Sequence, residues 1–210
     1  MKIGIINYGT GNIYSIANAL NELSANYVVI DNYNEISQVD ALILPGVGSF
    51  AESKKKLDKD HWTDQIIETV TVKEKSLLGI CLGMQLLADS STEGAEELVV
   101  PGLGLIPGKV VHLSEIGCNL RVPHVGWNSI SIMKNDKLFK NISNNTDFYF
   151  VHSYVFSSTN NENVIAQSEY GVPFAVAISK DRIWGTQFHP EKSSKAGFLI
   201  LQNFINYSLC

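Results

Sequence analysis

SLLGICLGMQ, residues 76–85, runs from an apolar segment through a glycine-flanked cysteine into residues 84–88, which have helical character. The order Gly-x-nucleophile-x-Gly between a strand and a helix is typical of a nucleophile elbow, a strained turn that presents one reactive side chain above a sheet. Glycines suit this turn because it leaves no room for neighbouring Cβ atoms. The start of a helix also favours the thiolate form of Cys81. The pattern therefore predicts a nucleophile at Cys81, although a buried, unreactive cysteine between packing glycines has the same sequence.

The segments around this turn alternate between strand and helix character. Up to the turn, strands are predicted at residues 2–6, 27–30, 41–44 and 77–80, and helices at residues 13–23 and 50–70. Such alternation predicts a parallel sheet with helices on both faces. After the turn, strands are predicted at residues 110–113, 129–133, 147–151, 164–168, 173–179 and 182–187, loops at 141–146 and 157–161, and a closing helix at 194–207.

We therefore predict an α/β fold, with a mostly parallel open sheet covered by helices on both faces and a smaller antiparallel strand region from the second half. With 210 residues and no linker-like segment, the chain is predicted to form a single domain, residues 1–210. Functional groups gather at the carboxyl ends of the strands in such sheets. Residues 7–12, residues 45–49 and the Cys81 elbow should therefore share one edge.

The composition excludes several classes of function. Apolar residues make up 45% of the chain and charged residues 18%, as in ordinary globular proteins. The net charge of −5 argues against a broad nucleic-acid surface, and no apolar run reaches the roughly 18 residues that a spanning helix needs. The chain begins without a signal-peptide pattern, and Cys81, Cys118 and Cys210 lack metal-ligand spacing. We expect a cytoplasmic protein with reduced thiols and with neither a nucleic-acid nor a membrane partner.

His189-Pro190-Glu191 follows a predicted strand and is the best candidate for the base that a thiolate nucleophile needs. Side chains two residues apart in an extended backbone point the same way, so Glu191 can share a side with His189. A carboxylate there fixes the tautomer of the imidazole, and an imidazolium stabilises a neighbouring thiolate. A surface turn is the alternative for this tripeptide alone. The shared sheet edge favours a triad of Cys81, His189 and Glu191.

Acyl transfer also needs N–H donors for a developing oxyanion. Leu82 offers its backbone N–H at the start of the helix, and a second donor is expected from the glycine-rich loop 45–48. An ordinary strand-to-helix turn is the alternative for that loop. Gln85 lies four residues after Cys81 and therefore faces the same side of the helix, where its amide can bind a polar substrate. A surface or core-capping glutamine is the alternative there.

Together these motifs resemble the class I, triad-type glutamine amidotransferases. The family pattern Gly-x-Cys-x-Gly-x-Gln is intact at residues 79–85, and His-x-Glu is intact at residues 189–191. The resemblance spans nearly the whole chain and implies a glutaminase in which Cys81 attacks the side-chain amide carbon of L-glutamine. It also implies that the N–H groups of Val47 and Leu82 hold the oxyanion, and that no metal or organic cofactor is required.

Five further segments are similar to the family of glutaminase subunits of imidazole glycerol phosphate synthase: residues 7–12, 45–50, 123–128, 149–154 and 187–193. In that family the subunit passes ammonia to a (β/α)8-barrel cyclase, and the heterodimer makes imidazole glycerol phosphate and AICAR in histidine biosynthesis. The resemblance implies a glutamine pocket lined by Gly48, Gln85, Ser153 and Tyr154. It also implies a partner surface that includes Asn12, Trp127 and Lys192.

Read without the family, three of the residues in these segments have structural interpretations. Trp127 and Tyr149 are then expected to be core aromatics, and His152 a hydrogen-bonded histidine on a strand.

Three alternatives to this function stay open. Asn7 stands where many family members have Asp, which removes a charge near the expected interface. A paralogue that feeds a barrel-type enzyme amidating a surface sugar would keep every glutaminase residue. A subunit that acts mainly by docking would not need the intact triad, and a cysteine peptidase with the same elbow is disfavoured by Gln85. The paralogue differs from the synthase subunit only in the molecule that accepts the ammonia.

Overall fold

The computed structural model describes residues 1–95 and 99–208. Its α-helices are α1 (Ile13–Glu22), α2 (Phe50–Lys59), α3 (Trp62–Thr71), α4 (Leu82–Leu86) and α5 (Ser194–Tyr207). Its strands are β1 (Ile3–Ile6), β2 (Tyr27–Ile30), β3 (Ala41–Leu44), β4 (Ser76–Ile80), β5 (Ser90–Ser91), β6 (Val100–Pro101), β7 (Gly108–His112), β8 (His124–Ser129), β9 (Ser131–Ile132), β10 (Asp147–His152), β11 (Tyr154–Ser158), β12 (Val164–Glu169), β13 (Pro173–Lys180) and β14 (Ile183–Thr186).

One large sheet carries most of these strands, in the order β2-β1-β3-β4-β14-β13-β11-β7-β5-β6, with β12 paired to β13 and β9 to β12. The first five strands of this order are parallel to one another, whereas β13, β11 and β7 continue the sheet in antiparallel pairs. A separate antiparallel ribbon joins β8 to β10. The predicted α/β fold, parallel in its first half and antiparallel in its second, is confirmed.

Helices cover both faces of the parallel strands because each helix has one apolar side. Ile16 and Leu20 of α1 lie with Phe204 of α5 in one buried cluster, while α2, α3 and α4 contribute to a second cluster on the opposite face. Every residue of β3 and β4 is buried, as expected for strands covered on both sides. Full burial of a side chain such as Leu or Ile contributes about 1.5–3 kcal/mol to folding.

Several details of the chain differ from the predicted elements. The strand predicted at residues 129–133 is divided between the end of β8 and the separate β9, and β5, β6 and β11 were not predicted. The helix predicted at residues 50–70 is two helices, since His61 between them adopts a left-handed backbone with φ 59°. The apolar pattern hides this break because α2 and α3 both pack on the same buried cluster. The predicted loop at 157–161 begins inside β11, a strand whose residues pair with distant β7.

Within the described ranges, no helix is long and apolar enough to cross a membrane.

Candidate active site

The elbow at Cys81 lies between β4 and α4, where the backbone of α4 packs closely against the end of β3. Cys81 has φ 54° and ψ −110°, a conformation that costs an L-residue about 1–3 kcal/mol. Its N–H donates to the carbonyl of Thr186 at 2.7 Å, which ties the turn to β14. A Cβ atom on Gly83 would lie 1.9 Å from the carbonyl oxygen of Leu44, so only glycine fits there. The turn therefore holds Cys81 at the carboxyl end of β4, where the sequence predicts it.

His189 and Glu191 lie beside the elbow because β14 is the parallel neighbour of β4. Thr186 pairs with Ile80, so the chain leaves β14 next to Cys81. The Nδ1 atom of His189 is 2.8 Å from Oε1 of Glu191, and both side chains are buried. Because Glu191 can only accept when ionised, Nδ1 carries a proton and Nε2 is the nitrogen left for Cys81.

The charge of His189 depends on both neighbours. Burial by itself lowers the pKa of His189, but interactions with the sulfur of Cys81 and then with the carboxylate of Glu191 outweigh burial and raise this pKa to about 10. Among the described residues, neither Nε2 of His189 nor Oε2 of Glu191 has a hydrogen-bond partner of normal geometry. The raised pKa of His189 therefore favours a protonated imidazole ring between Glu191 and Cys81.

A cavity of about 340 Å³ opens in front of the elbow, which lies within the range of small-molecule sites. Its walls contain all the residues that the sequence predicts for the oxyanion site and the glutamine pocket: Val47, Leu82, Gly48, Gln85, Ser153 and Tyr154. Cys81 and His189 also line it, together with Glu93, Pro123, Val151 and His152. Segments far apart in the chain thus converge on one concave site, and the individual roles of these residues stay predictions.

The glycine-rich loop 45–48 is held against the elbow by Tyr8. The hydroxyl of Tyr8 donates to the carbonyl of Pro45 at 3.1 Å. A Cβ atom on Gly46 would lie 2.9 Å from the backbone nitrogen of Gly83, so the loop and the elbow touch backbone to backbone. Gly48 has φ 91° and faces open space. The loop therefore combines a fixed start with an end that faces the cavity.

Two residues of this site were missed by the sequence analysis. Gln187 was predicted as the end of a strand and as the first residue of the family-like segment 187–193, without a role, and its Nε2 atom lies 3.7 Å from Sγ of Cys81. Glu93 follows no periodic pattern; its Oε2 atom accepts from the backbone N–H of Phe50 at 3.0 Å, and burial raises its pKa. The signal for Gln187 was its position two residues before His189, at the end of the predicted strand, whereas nothing local distinguished Glu93.

His152 lines the cavity with both of its ring nitrogens in hydrogen bonds. Burial, followed by the nearby His124, lowers the pKa of His152 to about 3, so the ring is neutral. Its Nδ1 atom is 3.0 Å from the carbonyl oxygen of Tyr154, and its Nε2 atom is 3.0 Å from Nδ1 of His124. Because a carbonyl only accepts, Nδ1 of His152 is the donor and Nε2 accepts from His124. The interpretation of His152 as a hydrogen-bonded strand histidine agrees with this geometry.

The β8–β10 ribbon, whose Val151 and His152 line the cavity, also carries a pair of aromatic residues. Trp127 pairs with Tyr149 across the ribbon, and their ring centroids are 6.1 Å apart. The side chain of Trp127 is 55% exposed, so the interpretation of this residue as a core aromatic was wrong. Its strand has one buried face only, and Trp127 lies on the other. The Nζ atom of Lys192 lies 6.0 Å from the Tyr149 ring centroid, which groups Lys192 with these aromatics.

Asn12 and Cys118, which the sequence analysis also singled out, make hydrogen bonds within the fold. Asn12 caps α1, with its side-chain oxygen accepting from the N–H of Ser15 at 3.2 Å. Cys118 is a buried free thiol that donates to the carbonyl of Tyr170, and Cys210 lies outside the described residues. Within residues 1–95 and 99–208, no group of three or more His, Cys, Asp or Glu residues could hold a metal ion.

Comparisons with known structures support the fold. A crystal structure of a glutamine amidotransferase superposes with a TM-score of 0.76 over 99% of each chain, at 19% identity. The structure of PurLQS from Thermotoga maritima gives a TM-score of 0.73 over 98% of each chain, also at 19% identity. At these identities the likeness concerns the fold alone.

Sequence comparisons identify the family. The family model for "Glutamine amidotransferase class-I" matches residues 4–206. Imidazole glycerol phosphate synthase subunit HisH 1 of Campylobacter jejuni subsp. jejuni serotype O:23/36 (strain 81-176) is 44% identical over 96% of this chain and 98% of its own. Subunit HisH 2 of Vibrio vulnificus (strain YJ016) is 42% identical over 99% and 95%, and subunit HisH of Moorella thermoacetica 44% over 96% and 93%. The chain therefore belongs to the class-I glutamine amidotransferases and, within them, to the family of imidazole glycerol phosphate synthase HisH subunits.

Proposed function

We propose that this chain is the glutaminase subunit of an imidazole glycerol phosphate synthase, which hydrolyses L-glutamine to glutamate and ammonia. The ammonia passes to a (β/α)8-barrel cyclase subunit in a heterodimer, and the lyase activity of histidine biosynthesis belongs to that complex. The observation that carries the proposal is the buried His189–Glu191 pair beside Cys81, at the floor of a cavity lined by the predicted pocket residues. We place the single domain in the cytoplasm, where the free thiols of Cys81 and Cys118 stay reduced.

The first half-reaction forms a thioester. The thiolate of Cys81 attacks the amide carbon of glutamine, and the electron pair of the C=O bond moves to oxygen. Backbone N–H groups of Val47 and Leu82, which line the cavity, would stabilise this oxyanion. His189 then donates its Nε2 proton to the leaving nitrogen, so ammonia departs and the γ-glutamyl group stays on sulfur.

The second half-reaction releases glutamate. His189, now neutral, takes a proton from water, and the resulting hydroxide attacks the thioester carbonyl. Collapse of the tetrahedral intermediate breaks the S–C bond and returns the electron pair to Cys81. Glu191 holds the imidazole in one tautomer through both steps, because its carboxylate accepts from Nδ1 at 2.8 Å. No step requires a metal or an organic cofactor.

Charge complementarity supports an amino acid as the substrate. Glu93 contributes a carboxyl group to the cavity wall, and we propose that it binds the α-ammonium group of glutamine. Gly48 leaves open space at the mouth, where a substrate backbone can approach the loop without a side-chain clash. Ser153 and Tyr154 line the wall beside Gln85, which gives the polar end of the substrate several hydrogen-bonding neighbours.

The exposed apolar surface around the cavity supports a protein partner there. Val125 and Val151 pair across the β8–β10 ribbon and are 56% and 38% exposed, next to the exposed Trp127. Val47, 44% exposed, continues this surface from the glycine-rich loop. Exposed apolar residues that adjoin a reaction cavity suit a partner that covers the mouth and receives ammonia out of contact with water.

An assay with glutamine labelled by ¹⁵N in its side chain tests the proposal. We expect ammonia release by the chain together with the cyclase, and transfer of the label to imidazole glycerol phosphate. Cys81→Ser should lower ammonia release by about 10³-fold or more, since the hydroxyl lacks the acidity of the thiol. Ammonia release at the unaltered rate by this variant would disprove the assignment of the nucleophile.

Two further measurements separate the alternatives. If label enters no product of the cyclase but enters an aminated sugar made by a barrel-type enzyme, the chain is the paralogue. If a glutamine-analogue electrophile fails to label Cys81 even with the partner present, the chain is a docking subunit. Turnover of peptides in preference to glutamine would identify a peptidase.

A further inference from the structure

We propose that Gln187 is a hydrogen-bond donor to the nucleophile, and that the same side chain fixes which atom of Gln85 faces the substrate. The inference deepens the proposed glutaminase function and rests on it. Gln187 is fully buried and directly follows β14. Because Thr186 of β14 pairs with Ile80 of β4, Gln187 and Cys81 are the next residues of two neighbouring parallel strands.

A chain of hydrogen bonds fixes the orientation of both amides. The Nε2 atom of Gln85 lies 2.9 Å from the carbonyl oxygen of Tyr154 and 3.0 Å from Oε1 of Gln187. A backbone carbonyl only accepts, so the atom of Gln85 that faces it is the NH₂ group. That NH₂ group needs an acceptor on its other side, so Gln187 presents its oxygen to Gln85. The NH₂ group of Gln187 therefore points to the sulfur of Cys81, at 3.7 Å.

The first consequence concerns the charge on sulfur. Cys81 carries negative charge before it attacks the amide and again when the S–C bond breaks to release glutamate. An N–H group directed at sulfur stabilises the thiolate in both steps. An amide donor keeps its protons at every pH at which the protein is folded, whereas His189 must give up its Nε2 proton during the reaction. Gln187 thus continues to stabilise the negative charge on the sulfur of Cys81 after His189 has transferred its proton.

The second consequence concerns the wall of the cavity. Both N–H groups of Gln85 are used by Tyr154 and Gln187, which leaves Oε1 as the remaining polar atom of a side chain that lines the cavity. An oxygen acceptor suits an N–H donor of the substrate and repels a carboxylate. Gln187 therefore acts as a positioning residue for substrate selection, since it holds Gln85 in the orientation that favours glutamine over glutamate.

The titratable groups around Cys81 are separate from Gln187. His189 is adjacent, Tyr8 senses the charge of Cys81, and Glu93 and His152 line the same cavity. All of them remain when Gln187 is replaced. A change in the thiol titration of a Gln187 variant therefore reports the lost donor.

The test uses Gln187→Met and Gln187→Leu, which keep the buried volume and remove the donor. The rate of alkylation of Cys81 by iodoacetamide is measured against pH in the full chain, without glutamine or partner, by mass spectrometry of the peptide that carries Cys81. Loss of one hydrogen bond to a charged group should move the midpoint of this profile upward by about one pH unit. In the glutaminase assay the same variants should also discriminate less between glutamine and glutamate as ligands.

Asn203→Leu is the matched control. Asn203 is a buried amide on α5 whose Nδ2 atom donates to the carbonyls of Leu138 and Lys140, away from the cavity. Its loss should lower stability and leave the alkylation midpoint unchanged. If this control moves the midpoint as far as the Gln187 variants do, the effect is one of stability and the inference is overturned.

Two results bear directly on the donor. An unchanged midpoint in folded Gln187 variants overturns the inference. If neither variant folds, the unaltered chain labelled with ¹⁵N is titrated, and the inference fails if no glutamine side-chain amide resonance moves with the Cys81 thiol. The proposed function fails separately: absence of glutaminase activity from the unaltered complex counts against it, whatever the alkylation profiles show.

Discussion

Glu191→Gln is the substitution that tests the triad most directly, because it changes one oxygen of a buried contact to an amide. Raising the pKa of His189 from its ordinary 6.5 to about 10 corresponds to about 5 kcal/mol of interaction energy, at 1.36 kcal/mol for each pKa unit. Cys81 is the stronger of the two influences that raise this pKa, so Glu191 accounts for the smaller part. A charge-assisted hydrogen bond of about 2 kcal/mol is a reasonable value for the 2.8 Å contact.

The sign of the pH dependence follows from the direction of the shift. The pKa of His189 is higher in the folded than in the unfolded chain, so its stabilisation is complete below pH 6.5 and is lost as the pH rises towards about 10. The free energy of unfolding of Glu191→Gln should therefore be lower than that of the unaltered chain by about 2 kcal/mol near pH 6, with a gap that shrinks as the pH rises.

Two measurements check this prediction. Urea unfolding of both chains between pH 6 and pH 10 gives the stability gap, and ammonia release with the cyclase gives the activity. We expect activity to fall by about 10²–10⁴-fold, because the imidazole loses the group that fixes its tautomer. A stability gap that grows with pH would refute the charge assignment, and activity within a factor of two of the unaltered chain would refute the role of Glu191.

Two predictions concern other parts of the site. Gly83→Ala should lower the free energy of unfolding, measured by urea denaturation, by more than about 3 kcal/mol, since its Cβ atom would lie 1.9 Å from the carbonyl oxygen of Leu44. Gly48→Ala should lower it by only about 1–2 kcal/mol, because Gly48 has φ 91° but no atom within 4 Å of the added Cβ. Equal losses for the two variants would contradict the steric argument. If Glu93 binds the α-ammonium group as proposed, Glu93→Gln should raise KM for glutamine by about 10-fold or more, with a smaller effect on kcat, because it removes the charge of the carboxylate. A change confined to kcat would rule out a binding role for Glu93.

The strands of the parallel half could be predicted from the sequence, because the run of apolar residues that specifies such a strand is only a few residues long. Apolar runs such as residues 41–44 form strands buried on both faces. The elbow was predictable because Gly-x-Cys-x-Gly between a strand and a helix is a local pattern, whereas the contact that demands glycine at position 83, with the carbonyl oxygen of Leu44, exists only in the folded chain. The break between α2 and α3 was missed because both helices pack on one cluster, so that apolar residues at helical spacing continue on either side of the polar residues 58–61.

By itself, the sequence predicted the nucleophile and the His189–Glu191 pair from short motifs, and its similarity along nearly the whole chain identified the family. Only the tertiary structure decided which residues surround the sulfur. Pairing of β14 with β4 brings Gln187 to 3.7 Å from Cys81 across a long separation in sequence. Which strands pair with each other, when they lie far apart in the sequence, cannot be read from the pattern of residues in either strand. The contacts of Gln187 and the position of Glu93 in the cavity wall are therefore known only from the assembled sheet.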